Sequence, residues 1–392
     1  MRDIRSWAPY ASVALAALLA SCGGSDGADT TPAASITSVK VMGDSLADSG
    51  TFGLKFTVQA TNATGIDLKT PRIYPELVAN SYGVALCNVY TFTGTTFIPN
   101  PTQTGCTNYA IGGGRINNYS APTSPVAIPV QLAAASAGGN YAAGDLLIID
   151  GGGNDAADLI GAYLQASTNP TPYLTLLGTV LPSATVNAAA AAGATGLAGV
   201  GATYLSALAD NFYASIKTSA LDKGAQRVVV LNMPGITNTP RFQMVLDSIS
   251  AAYGGGTAGA TARAQSEALF KSWIVAFNTE LAAKFAGNAN VVVVDFYTSF
   301  NDQVATPTQY SLTNATTPAC PITGVGSDHL PTYTFATYTD VALSAMTPPA
   351  GATGGVDWWK TYAFSDSFHP TPQAHKNLAQ LISRSLAQAG WL

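Results

Sequence analysis

Four stretches of this chain place nucleophilic, acidic and basic residue types where they could act together. The first is Gly43-Asp44-Ser45-Leu46, a serine directly after a β-branched run and ahead of a turn rich in Gly, Asp and Ser. A serine at the carboxyl end of a strand can present its Oγ to the crevice formed there. Such turns are equally common as plain structural turns. The second is Gly112-Gly113-Gly114, where missing Cβ atoms let backbone N–H groups face a crevice, or simply make a flexible turn. The third is Asp150-Gly151-Gly152-Gly153-Asn154-Asp155. Its Asn154 either donates a side-chain amide into the same crevice or caps the following helix. The fourth surrounds His369, one of three histidines, with Pro370 and Pro372 stopping any helix from reaching back over it. Asp366 can reach the ring nitrogen that faces away from the crevice, which fixes the tautomer and leaves Nε2 as a base. His375 is expected in a surface or capping role on the last helix, and His329 lies in a long insertion without a partner.

These residues need elements to hold them. Short apolar runs at 38–43, 107–111, 145–150, 227–232 and 291–296 read as strands buried on both faces. Helices are expected at 72–82, 129–137, 201–217, 263–285 and 372–389. Strands alternating with helices argue for a parallel sheet with right-handed crossovers. The stretches 50–71, 88–106, 166–200 and 301–362 exceed ordinary connections and read as insertions on a single domain. The Ala- and Gly-rich part at 188–202 reads as a surface insertion or a poorly anchored helix start. A formal Gly-x-Ser-x-Gly at 23–27 has no strand before it and no helix after it, so it is set aside.

The N-terminus carries an address. Arg2 and Arg5 precede an apolar run from Val13 to Leu19, far short of the about 20 residues needed to span a bilayer. Leu19-Ala20-Ser21-Cys22 resembles the lipobox of bacterial lipoproteins. That resemblance implies a signal peptide at 1–21, lipidation of Cys22, a flexible tether at 22–37 and a single domain at 38–392. An ordinary signal peptide that happens to contain a cysteine is the alternative. Gly23, not Asp, follows Cys22, which favours outer-membrane anchoring for a protein of the bacterial envelope. Of the other cysteines, Cys87 and Cys106 bracket a Thr- and Pro-rich loop and are expected to pair, for about 3 kcal/mol in the chain-entropy account. Cys320 is left over, and no Cys/His spacing suggests a metal.

Composition narrows the remaining classes. The 392 residues carry a net charge of −5 and only 10% charged residues, against roughly 25% in ordinary soluble chains. With 47% hydrophobic residues, general disorder is excluded. The 17 basic residues, outnumbered by 22 acids, make no nucleic-acid footprint. The chain is expected to act as a monomer.

In order and coarse spacing, Gly43-Asp44-Ser45-Leu46, Asn108 through Gly114, Gly153-Asn154-Asp155 and Asp366 with His369 resemble the blocks of the GDSL (SGNH) hydrolases. The variant is similar to exported bacterial GDSL esterases and lipases, haemolysin-like phospholipases among them. The resemblance implies a flavodoxin-like three-layer α/β/α sandwich, an α/β fold with a parallel five-stranded sheet and long loop insertions. It implies Ser45 as nucleophile, His369 and Asp366 as base and acid, and an oxyanion hole from Ser45, Gly113 and Asn154, with Gly112 open in place of Gly113. Asp44 is expected to orient the turn. No cofactor or metal is implied. The partners are an ester substrate and the membrane that holds the anchor. Tyr333, Phe335, Tyr338, Trp358, Trp359, Tyr362, Phe364 and Phe368 would suit an acyl chain or pack the insertion onto the domain. A carbohydrate acetyl esterase would use the same residues, and a lipid-anchored binding module on this scaffold is the rival from another class.

Overall fold

Val-, Ile- and Leu-rich runs form four parallel strands, β1 (Ser38–Met42), β2 (Asp145–Ile149), β3 (Val228–Leu231) and β4 (Val291–Val294), hydrogen-bonded in that order. The structure is a computed structural model that describes residues 35–63, 65–326, 331–334 and 338–392. Most of the leader and tether, Cys22, the 23–27 motif, His329 and Phe335 lie outside the described residues. Ile36–Leu392 form one unit.

Successive strand residues point to opposite faces. Leu147, Ile149, Val228 and Val230 enter one core. Val39, Val41, Leu146, Ile148, Val229 and Leu231 enter the other. Two such faces need two helical layers, and these helices supply them: α1 (Tyr74–Ser81), α2 (Ile128–Ser136), α3 (Gly153–Gln165), α4 (Gly193–Ser219), α5 (Pro240–Ala252), α6 (Gly256–Phe285), α7 (Phe296–Ala305) and α8 (Pro372–Gln388). Helices α2 to α6 cover the first face, and α1 and α8 the second. The result is a three-layer α/β/α sandwich.

The fifth expected strand, 107–111, is reduced to isolated parallel bridges at Asn108, with Val41 of β1 on one side and Asn88 on the other. The Val41 N–H donates to Thr107 O at 3.0 Å, and the Tyr109 N–H to Val41 O at 2.8 Å. The ladder is then interrupted because the Gly43 N–H is given to Gln131 Oε1 at 2.8 Å, while the Asn108 amide goes to Ala47 O (2.8 Å) and Ser49 Oγ (2.9 Å); the Ile111 N–H returns to Gly43 O at 3.3 Å, just ahead of the glycines. This segment lies outside β1, so the sheet runs in the order 107–111, β1, β2, β3 and β4. Its topological switch point falls between β1 and β2, the place where doubly wound sheets open a crevice.

The Ala/Gly-rich stretch holds the expected helix start, but that start is firmly anchored. Residues 171–178 and 183–191 form two short helices, and 193–202 begins the long α4. Its small residues let α4 approach α6: a Cβ on Gly201 would lie 2.3 Å from the Trp273 ring, and the Trp273 indole N–H donates to Ala198 O at 3.0 Å. Tyr338, Trp358, Trp359 and Tyr362 form a separate small core within the 301–362 region. The strands β5 (Asn314–Pro318) and β6 (Tyr362–Phe364) tie that region together in parallel pairing. Cys87 and Cys106 form a disulfide that closes a loop containing a short antiparallel hairpin, 90–92 with 97–99. Cys320 is free and buried, and burial pushes its thiol up. Among the described residues no helix is long and apolar enough to cross a membrane.

Candidate active site

The carboxyl ends of β1 and β2 carry the centre of the site. Directly after β1 the chain turns through Asp44 and Ser45, both buried. The Asp44 carboxylate accepts the Leu46 N–H at 3.0 Å, which orients the turn. Residues 365–369 follow β6, and Pro370 and Thr371 separate them from α8. The His369 ring lies between the two segments: Nε2 is 2.8 Å from Ser45 Oγ, and Nδ1 is 2.7 Å from Asp366 Oδ2. Asp366 is itself pinned, its Oδ1 accepting the N–H groups of Phe368 and His369 at 2.7 Å each. Burial alone would raise the Asp366 carboxyl, but the facing His369 and these hydrogen bonds outweigh it and hold it below the usual carboxylate range. Serine, imidazole and ionised carboxylate therefore form one continuous hydrogen-bonded line. This arrangement activates a hydroxyl nucleophile and holds the imidazole in one tautomer.

The glycine run lies against the serine turn. A Cβ on Gly114 would sit 2.5 Å from Gly43 O and 3.0 Å from Asp44 Cα, so only glycine permits this backbone approach. The Gly112 N–H is already given to Asp48 Oδ2 at 2.8 Å. The Gly113 N–H and the Ser45 N–H have no such commitment. Asn154 falls inside the first turn of α3, whose N-cap is Gly152, so it does not cap the helix. One of its amide hydrogens goes to Gly114 O at 3.0 Å, which holds the side chain beside the glycine run and leaves the second hydrogen for a ligand.

Several polar residues hold these pieces, Asp48, Asp150 and Asp155 of them buried, and the sequence alone assigns none of them a role. Asp48 takes the N–H groups of Gly50 (2.9 Å), Thr51 (2.8 Å) and Gly112, so it fastens the loop after Ser45 to the glycine run. Asp155 takes Ile116 and Asn117 N–H at 3.0 and 2.7 Å, and burial pushes its carboxyl up to about 6 against those bonds. Arg115 donates to Gly113 O at 2.6 Å while paired with Asp158. Asp150 accepts the Asp44 N–H and the Tyr74 hydroxyl at 3.0 Å each. Burial first, and the Asp44 carboxyl second, push Asp150 well above the ordinary range. The one hint in the sequence was position: in a chain so poor in charge, acids stand directly beyond strand ends.

His375 corrects an expectation. It is fully buried, stacked on Tyr74, and its Nδ1 accepts the Tyr74 N–H at 3.4 Å. The α8 face that carries it packs on α1, so the ring has no solvent. Burial, with lesser repulsion from His369 and Lys55, pushes it down to about 3. A buried neutral imidazole stabilises the fold fully above the unfolded value near 6.5, and that contribution is lost as pH falls toward the folded value. The stability gap between the wild type and His375→Gln is expected to narrow by up to about 1.4 kcal/mol per pH unit below about 6.5. Urea midpoints from pH 7.5 to 4.5 measure it, and a constant gap would refute the assignment.

A mostly apolar pocket opens at Ser45 across the strand ends. Leu231, Ile236, Phe296, Phe300, Phe364, Phe368 and Leu378 line it, with Asp150 and Asn232 at its polar edge. Of the described aromatic residues near His369 in the sequence, Phe364 and Phe368 reach it, and Tyr333, Tyr338, Trp358, Trp359 and Tyr362 do not. Among the described residues no cluster of His, Cys, Asp and Glu could hold a metal ion.

Fold and switch-point crevice together define a hydrolase-type α/β protein whose strand ends carry a hydrogen-bonded Ser–His–Asp line. The sequence model of the GDSL-like lipase/acylhydrolase family matches residues 39–382, and the chain belongs to that family. Among solved structures it is similar to the extracellular lipase of Streptomyces rimosus, with 16% identity, a TM-score of 0.40, and coverage of 89% of this chain and 99% of that one. It is also similar to phospholipase A1 from Streptomyces albidoflavus NA297, with 14% identity, a TM-score of 0.38, and coverage of 89% and 98%. Among curated proteins none matches.

Proposed function

We propose that this chain is a carboxylic ester hydrolase of lipase type, in which Ser45 attacks the ester carbonyl and carries the acyl group. The observation that carries the reading is the unbroken line from Asp366 Oδ2 through His369 to Ser45 Oγ, with contacts of 2.7 and 2.8 Å. His369 Nε2 takes the Ser45 proton as the Oγ–carbonyl bond forms, then gives it to the departing alcohol oxygen. Charge on the carbonyl oxygen meets the N–H groups of Ser45 and Gly113 and the spare Asn154 amide hydrogen. Each such donor is worth roughly 3–4 kcal/mol. Water, deprotonated by His369, then releases the acid and restores Ser45.

The pocket lined by Phe296, Phe300, Phe364 and Leu378 favours an apolar acyl chain over an acetyl group. Rates on p-nitrophenyl esters from C2 to C16 test this. We expect kcat/KM to rise from C2 to a medium or long chain; a maximum at C2 would favour an acetyl esterase, and no turnover on any ester would favour a binding module. Export with a lipid anchor at Cys22 belongs to the same reading. The leader pattern supports it, and so does the Cys87–Cys106 disulfide, a bond that persists in oxidising compartments.

A further inference from the structure

Four phenylalanines stand beside the site and belong to none of the apolar cores formed by the described residues. Phe52 lies 5.3 Å from Phe92, 5.9 Å from Phe97 and 6.0 Å from Phe56 between ring centroids, and Phe92 lies 4.9 Å from Phe97. All four are partly buried, with some of each side chain still open to solvent. The cluster meets the candidate machinery at two points. The Phe56 ring is 5.1 Å from the His369 ring. It also presses on Gly112, where a Cβ would be 2.3 Å from two of its ring atoms. Phe92 and Phe97 come from the hairpin inside the Cys87–Cys106 loop, so the disulfide holds half of the cluster in place. None of the four lines the apolar pocket at Ser45.

Partly exposed aromatic rings gathered beside a site, outside the cores that the described residues form, offer a surface that an apolar ligand can cover. The mechanism says which part of the ligand this is. His369 protonates the departing oxygen, so the alcohol side of the ester leaves on the His369 side, and Phe56 stands against that ring. We propose that Phe52, Phe56, Phe92 and Phe97 form a subsite for the alcohol side of the ester, and that this alcohol is apolar, with an alkyl chain that lies across the four rings. The inference rests on the Ser45 ester-hydrolase reading and adds its substrate class. Phenylalanine offers no hydrogen-bond donor or acceptor, so a polyol alcohol would lose its water there without replacement.

The test holds the acyl group constant and varies the alcohol. Butyrate esters of 2-methoxyethanol and of hexanol, both below their solubility limits, are compared by kcat/KM. The full-length wild type is expected to prefer the hexyl ester about tenfold, the scale for partial burial of a short alkyl chain. Phe92→Ser with Phe97→Ser should reduce that ratio to about twofold or less. The size-retaining pair Phe92→Leu with Phe97→Leu should restore most of it, which separates lost apolar contact from a misfolded hairpin. A wild type indifferent to the alcohol, or a ratio unchanged in the serine pair, would overturn the subsite. Hydrolysis of both esters that persists in Ser45→Ala would instead overturn the underlying reading.

Discussion

Ser45→Ala is expected to lower kcat on a p-nitrophenyl ester by about 10⁴-fold or more, while the protein unfolds within a few degrees of the wild type. The size of the effect follows from the site. The Ser45 Oγ is the atom His369 Nε2 meets at 2.8 Å, and without it no acyl–enzyme bond can form. What remains is the set of amide donors and the apolar pocket, which in such sites still give roughly 10³–10⁴-fold over water. The fold should not suffer, because the Oγ has no partner but His369, whereas the turn itself is held by the Asp44 carboxylate and by Asp150. Labelling gives an independent check. A serine-directed phosphonate should inactivate the wild type irreversibly, with its mass on the peptide that contains Ser45. An adduct on another residue, or turnover by Ser45→Ala within tenfold of the wild type, would remove Ser45 from the mechanism.

Asp366→Asn should be nearly as damaging, about 10⁴-fold in kcat, for a different reason. Asp366 Oδ1 accepts two backbone N–H groups at 2.7 Å. Those donors fix which atom of an asparagine goes where: the amide oxygen keeps both bonds, and the NH₂ takes the Oδ2 position facing His369 Nδ1. An NH₂ there can only donate, so the imidazole proton moves to Nε2. The ring then points a donor at the Ser45 hydroxyl and cannot take its proton. The loop geometry stays and the chemistry stops. Raising the pH should not rescue the variant, because the fault is a tautomer and not a charge. In the wild type, the His369 side wins over burial and keeps Asp366 ionised through the neutral range, so an acid-side fall in rate is not a titration of Asp366. Retention of kcat within tenfold in Asp366→Asn would show that the tautomer is held by something else.

The positioning residues resisted sequence reading for one physical reason. Asp48, Asp150 and Asp155 are buried carboxyls, a state that is costly unless N–H or O–H donors surround them. Those donors come from segments far apart along the chain. Asp150 serves the Asp44 N–H and the Tyr74 hydroxyl, and Asp155 serves the N–H groups of Ile116 and Asn117. A carboxyl at a strand end looks the same in sequence whether it faces water or such a cage. His375 was misplaced for the same reason, since helical spacing alone did not show that its face of α8 packs on α1. The Ala/Gly stretch is half legible: a helix start can be read from it, its anchoring cannot. Its small residues are weakly apolar, but their use is the close approach of α4 to Trp273 on α6, which becomes visible only when both helices are in place.

The sequence by itself determined what depends on neighbours along the chain. Runs of β-branched residues made the strands, and alternation with helices set the layers. The Gly-Asp-Ser turn, the Gly run, Asn154, and Asp366 with His369 are local patterns that could be read in order. The tertiary structure alone decided what depends on distance across the fold. Strand pairing sets the serine turn, the glycine run and the α3 N-terminus side by side, because a parallel sheet brings its carboxyl ends to one edge. The packing of α8 behind β6 then brings His369 to 2.8 Å from Ser45, across most of the chain. The same folding gave the Gly112 N–H to Asp48 and left that of Gly113 uncommitted, a choice between adjacent glycines that no local pattern could make.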